Sequence, residues 1–197
     1  MDNICDNPKC AVLLETGRRL FWKHGFRRVS VEEVCLEAGV SKMTFYRFFR
    51  NKTDLARKIY RQVVDEGIEK FRDIMSADTS PTEKLNRILL LKLESTNEIS
   101  LEFIMDFYNS REPGMKEFVE KVTSEAWSGI TDSFREAQEK GIFRKDFRPE
   151  FLLHLTQYLT PMFTDEKLLK IYDKPQELVM EVAKFFTWGI APHNDDK

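Results

Sequence analysis

The stretch Ser30-Val31-Glu32-Glu33-Val34-Cys35-Leu36-Glu37-Ala38-Gly39-Val40-Ser41-Lys42-Met43-Thr44-Phe45-Tyr46-Arg47-Phe48-Phe49 decides the fold. Ser30 stands three residues before Glu33, the spacing of a capping box, in which the hydroxyl accepts from the amide of Glu33 and its carboxylate reaches back. The short helix so begun turns Val31, Val34, Cys35 and Ala38 inward and stops at Gly39. Ser41 then caps a helix from Lys42 to about Phe49, and two such helices joined by a glycine-containing turn make a helix-turn-helix. In the second of them Phe45, Phe48 and Phe49 fall at i, i+3 and i+4, one buried stripe. Lys42, Met43, Thr44, Tyr46 and Arg47 are left outward. Such a face offers donors for base edges and hydroxyls and cations for phosphates, with apolar anchors behind it. The helix start at Ser41 adds an attraction for phosphate. An amphipathic core helix with a solvated face would produce the same nine residues. It would not explain the capped helix before it, the glycine turn or an outward tyrosine.

Outside this stretch the chain reads as helix after helix, without alternating β-branched runs bounded by Asn-Gly or Asp-Gly turns. The expectation is an all-α fold of about nine helices. Asn7 caps a first helix, Pro8 to about His24, closed by Gly25. Asn51 to Asp54 break the chain before a long fourth helix ending near Met75. The polar run from Ser76 to Thr82 marks the best boundary. Beyond it, helices are expected from Pro81 to Asn97, Ile99 to Asn109, Pro113-Gly114 to Gly141, Pro149 to Phe163 with Pro161 interrupting its end, Asp165 to Tyr172, and Pro175 to Ile190. The domains expected are residues 1–52 as a helix-turn-helix unit, 53–76 as a connecting helix, and 77–197 as a larger helical body.

The 197 residues are 42% apolar and 32% charged, far from the composition of a disordered chain. Net charge is only -2, but residues 1–62 hold 13 Lys/Arg against 7 Asp/Glu, net +6, and residues 63–197 hold 18 against 26, net -8. A basic head on an acidic body can approach phosphates with one end only. No apolar run approaches the roughly 20 residues that cross a bilayer, and MDNICDNPK is not a signal peptide, so the expectation is a cytoplasmic protein without membrane contact. Cys5, Cys10 and Cys35 form no CxxC pair and read as unpaired thiols of a reducing compartment. No catalytic residue, metal site or cofactor is expected: His24, His154 and His193 are dispersed, and a Gly-rich phosphate loop is missing.

Residues 9–60 resemble the DNA-binding domain of the tetracycline-repressor (TetR) family. Leu20-Phe21, Gly25-Phe26, Ser30-Val31, Val34, Ala38-Gly39-Val40-Ser41-Lys42, Thr44-Phe45-Tyr46, Phe49, Lys52 and Leu55 carry the likeness. It departs at Met43, where a small residue is frequent, and at Cys35, where alanine is usual. The resemblance implies that Ser30, Tyr46 and Lys52 grip phosphates and that Lys42, Thr44 and Arg47 lie nearest the base edges. It also implies a ligand-released repressor whose body dimerises through its last two long helices and encloses an effector pocket. Independently, Leu178, Val179, Val182, Phe185, Phe186 and Trp188 spread apolar surface around much of the final helix, more than one stripe requires. With Phe151, Leu152, Leu155 and Leu159 they form a candidate dimer interface, unless both faces pack within one subunit. Phe103, Phe107, Tyr108, Trp127, Phe134, His154 and Tyr158 are the candidate contacts for a small apolar or aromatic effector, with core packing as the alternative for each. The expected partners are thus a double-stranded pseudo-palindromic operator, that effector and a second copy of the chain. A helical protein-binding adaptor and a helical enzyme are the competing readings.

Overall fold

A computed structural model describes residues 7–97, 99–108 and 112–192, and among them it is helical without a strand. The elements are α1 (Pro8–His24), α2 (Val31–Glu37), α3 (Lys42–Phe48), α4 (Lys52–Ser76), α5 (Pro81–Ser95), α6 (Leu101–Tyr108), α7 (Met115–Glu139), α8 (Pro149–Leu159), a 3-10 turn (Thr160–Thr164), α9 (Glu166–Leu169) and α10 (Pro175–Gly189). The all-α expectation holds, with ten α-helices where about nine were expected.

Local chemistry sets the boundaries. Asn7 caps α1 by accepting from the amide of Lys9, and Gly25 closes it with φ +79°. Ser80 caps α5 through the amide of Glu83 at 3.2 Å. Ser100 caps α6 through the amide of Phe103 at 3.1 Å, which starts that helix at Leu101 rather than Ile99. The helix opened by Pro149 stops at Leu159 instead of reaching Phe163, because Pro161 has no N–H to continue the ladder and the chain tightens into a 3-10 turn.

The chain divides into two compact units, Met1–Val63 with Glu98–Glu120, and Val64–Asn97 with Lys121–Lys197. In the first, Leu13, Leu20, Phe21, Phe26, Val29, Val34, Phe45, Phe49, Leu55 and Ile59 are buried as one core. Gly17 lets α1 and α4 approach closely, since a Cβ there would lie 2.9 Å from Ile59 Cδ1. The sequence reading placed α6 in the body, but α6 packs on α1. Trp22 and Phe103 rings lie 4.2 Å apart, and the amide of Ser100 donates to Trp22 O at 2.9 Å. The second unit is built on Leu85, Phe134, Ala137, Ile142, Phe143, Leu152 and Ile190. The buried Lys84 donates from Nζ to the carbonyls of Ile74, Met75 and Ala77, closing the C-terminal end of α4. Cys35 is a free buried thiol. Cys10 is disulfide-bonded, against the expectation of unpaired thiols throughout.

Candidate nucleic-acid interface

The helix-turn-helix is α2 and α3, each capped by the serine the sequence indicates. Glu33 N–H donates to Ser30 Oγ at 3.1 Å, and Thr44 N–H to Ser41 Oγ at 3.1 Å. Gly39, with φ +65°, makes the turn between them. Phe45 is 0% exposed and anchors α3, its ring 5.4 Å from that of Phe49. On the opposite side Met43 is 85% and Tyr46 56% exposed, and Lys42 and Arg47 are exposed beside them. Nothing in the core needs these side chains, and burying them would require an outside partner.

The charges of this face are partly engaged. Lys42 Nζ pairs with the Glu32 carboxylate of α2, which holds that carboxyl below and the ammonium above their ordinary ranges. The Arg47 guanidinium lies over the Phe48 ring at 5.3 Å. Arg47, Thr44 and Phe48 share a groove of about 280 Å³ with Asn7, Pro8 and Lys9 at the start of α1.

Lys52, for which the resemblance implies a phosphate contact, turns inward. Its Nζ donates to Phe26 O at 2.8 Å, Arg27 O at 3.1 Å and Val29 O at 2.9 Å. An ammonium has three protons, and these three carbonyls take them all. It also sits 4.5 Å from the Phe26 ring centroid. Burial pushes it below the usual lysine range, opposed by the carboxylates of Glu112 and Asp106. Lys58, one and a half turns on, donates from Nζ to Phe48 O at 3.1 Å and closes the end of α3. Sequence reasoning missed Glu32, Lys58 and Asp106. Glu32 and Lys58 carried only a weak signal, as charges one helix away from the outward face, and Asp106 carried none.

The remaining candidates fall into separate groups. Phe103 and Phe107 are buried in the first unit, 4.4 Å apart, with Phe107 stacked on Tyr60 at 5.8 Å. Tyr108 ends α6, and its side chain lies outside the described residues. Trp127 and Phe134, 6.2 Å apart, belong to the core of the second unit. His154 and Tyr158 come together at 5.3 Å on α8, but both are exposed, Tyr158 by 65%. Of the interface candidates, Leu152 is buried, Leu155, Leu159, Val182 and Phe186 are half-buried, and Phe151 and Phe185 are exposed, Phe185 by 81%. Trp188, half exposed on α10, joins that apolar surface. Among the described residues no group of three or more His, Cys, Asp or Glu is placed to hold a metal ion. Among them, too, no helix is long and apolar enough to cross a membrane.

Among the described residues, a capped, aromatic-anchored second helix with an unburied polar face has the form of a helix-turn-helix reading head. Residues 13–59 match the family of bacterial regulatory proteins described as the tetR family. The chain is 23% identical over 167 residues to the uncharacterized HTH-type transcriptional regulator YhgD of Bacillus subtilis, covering 83% of this chain and 87% of that one. It is 22% identical over 139 residues to the HTH-type transcriptional repressor KstR2 of Mycolicibacterium smegmatis, covering 68% and 67%. The fold matches the fatty acid degradation regulator FadR of Bacillus halodurans with a TM-score of 0.68 at 17% identity, over 96% of this chain and all of that one. Residues 13–59 thus carry a DNA-binding domain of the tetR type, and over most of its length the chain is similar to HTH-type transcriptional regulators.

Proposed function

We propose that the protein represses transcription as a homodimer on a pseudo-palindromic operator and is released by a small apolar or aromatic effector. The observation that carries the reading is α3, where a fully buried Phe45 fixes the helix while Met43 and Tyr46 stand out of the surface. Base edges are read by Lys42, Met43, Thr44 and Arg47. The hydroxyls of Ser30, Ser41 and Tyr46 accompany them on phosphates, and Lys52 supports the site from behind. The exposed aromatics of α8 and α10, Phe151, Tyr158, Phe185 and Trp188, suit burial against a second copy. On this reading His154 and Tyr158 line the dimer contact or its rim, and effector contacts come from the other aromatic candidates. The similar proteins, among them a repressor and a fatty acid degradation regulator, favour repression and an apolar effector. The protein acts on DNA in the cytoplasm and needs no catalytic residue.

Selection of duplexes from a random DNA pool by the full chain tests the first half. A palindromic consensus is expected, bound with an affinity that falls steeply with salt and is lowered broadly by Tyr46→Phe. Titrating that complex with long-chain fatty acids tests the second half. Operator affinity unchanged at saturation would remove fatty acids as the releasing effector and leave DNA binding intact.

A further inference from the structure

The loop Gly25 to Val29 joins α1 to α2 and is held from two sides by charged side chains from outside the helix-turn-helix. From α4, Lys52 Nζ gathers the carbonyls of Phe26, Arg27 and Val29 within 2.8 to 3.1 Å. From α6, Asp106 Oδ2 accepts the N–H of Arg27 at 2.7 Å, and its Oδ1 lies 3.2 Å from Arg27 Nε. Asp106 is buried, so its charge needs compensating partners close at hand. Gly25 shows how closely α6 runs past: a Cβ there would stand 2.8 Å from Glu102 Cβ and 2.9 Å from Asp106 Oδ2. One cation and one anion thus engage three carbonyls and one N–H of the same short loop. The loop ends at Ser30, the cap of α2, and α2 is the seat on which α3 packs.

We propose that Lys52 and Asp106 are positioning residues for DNA binding: they clamp this loop, and so the seat of α3, and Lys52 acts through the loop instead of touching a phosphate. The proposal rests on the DNA-binding reading above. It makes α6 a structural part of the reading head, its Asp106 carboxylate reaching a backbone partner 79 residues away.

The test uses the full chain, the duplex it selects, and the variants Asp106→Asn and Lys52→Met. Each is expected to keep its helical circular dichroism and to bind the duplex roughly tenfold or more weakly. The slope of log K against log salt should equal that of the wild type. In the DNA-free protein, amide exchange over residues 26–31 should rise in both. Asp106→Asn supplies a test of sign, because removing a carboxylate near DNA for electrostatic reasons alone would tighten binding. Unchanged or tighter binding by Asp106→Asn overturns the proposal. So does a Lys52→Met slope smaller by about 0.9, the mark of one lost phosphate contact. Should either variant fail to fold, Asp106→Glu and Lys52→Arg, which keep the charge and displace the bonding atoms, take its place: weaker binding with raised exchange over residues 26–31 is expected, and unchanged binding overturns the proposal. If the wild-type chain selects no duplex, the DNA-binding reading falls, and the exchange data still decide whether the two side chains hold the loop.

Discussion

Glu32 and Met43 are the residues that distinguish this reading face. The Glu32 carboxylate stands beside Lys42, where a phosphate would compete for the same ammonium. Glu32→Gln should therefore strengthen DNA binding several-fold at low salt and lose that advantage as salt rises, measured by fluorescence anisotropy over a salt series. Met43 touches so little of the protein that Met43→Ala should leave the melting transition within about 0.5 kcal/mol of wild type. The selected consensus should change nonetheless, most at thymines whose methyl groups the thioether side chain would cover. Phe45→Ala is the opposite case. Emptying a site that is 0% exposed should cost about 3–5 kcal/mol, and binding should vanish with the fold of the head.

At the scale of elements, the caps carry the architecture. Ser41→Ala removes the acceptor for Thr44 N–H and should destabilise the head by about 1 kcal/mol in thermal unfolding. Gly25→Ala should do more. Its φ of +79° with ψ 156° is a backbone region that side chains avoid, at a cost of order 1–3 kcal/mol, and the new methyl would collide with α6. The caps at Asn7, Ser30 and Ser41 and the closing Gly25 are local signals written within four residues of their partners, which is why the first three helices were legible in sequence. The outward face of α3 was legible for the same reason, since period and residue type are enough to define it. The attachment of α6 to the loop after α1 was not, because Asp106 and Arg27 meet across 79 residues and neither position shows a pattern. Lys52 illustrates the limit from the other side. Its place in the chain matched a phosphate-binding pattern, but the direction of its ammonium depends on three carbonyls that only tertiary structure gathers. The interruption at the end of α8 was legible as well, because Pro161 breaks the hydrogen-bond ladder whatever the helical periodicity beyond it.

For the whole molecule, the proposed dimer rests on the surface of α8 and α10. An aromatic residue as open as Phe185 is rarely left in water when Phe151, Tyr158 and Trp188 are exposed on the same helices. Phe185→Glu should convert the dimer into a monomer in sedimentation analysis and should leave the helical content intact. It should also abolish tight operator binding, because two heads must sit roughly 34 to 36 Å apart, one turn of DNA, to engage both half-sites. A single head would still bind DNA weakly, with about half the salt dependence.

The buried Lys84 gives the molecule a chemical fingerprint. Its amine faces the carbonyls of Ile74, Met75 and Ala77 and lies out of reach of reagents in solution, whereas Lys9 and Lys145 stand at the surface. Brief treatment with acetic anhydride, read by peptide mass spectrometry, should therefore modify Lys9 and Lys145 long before Lys84. The delay at Lys84 becomes a clock for how often the last turn of α4 comes undone, and any effector that tightens or loosens that turn should change its rate.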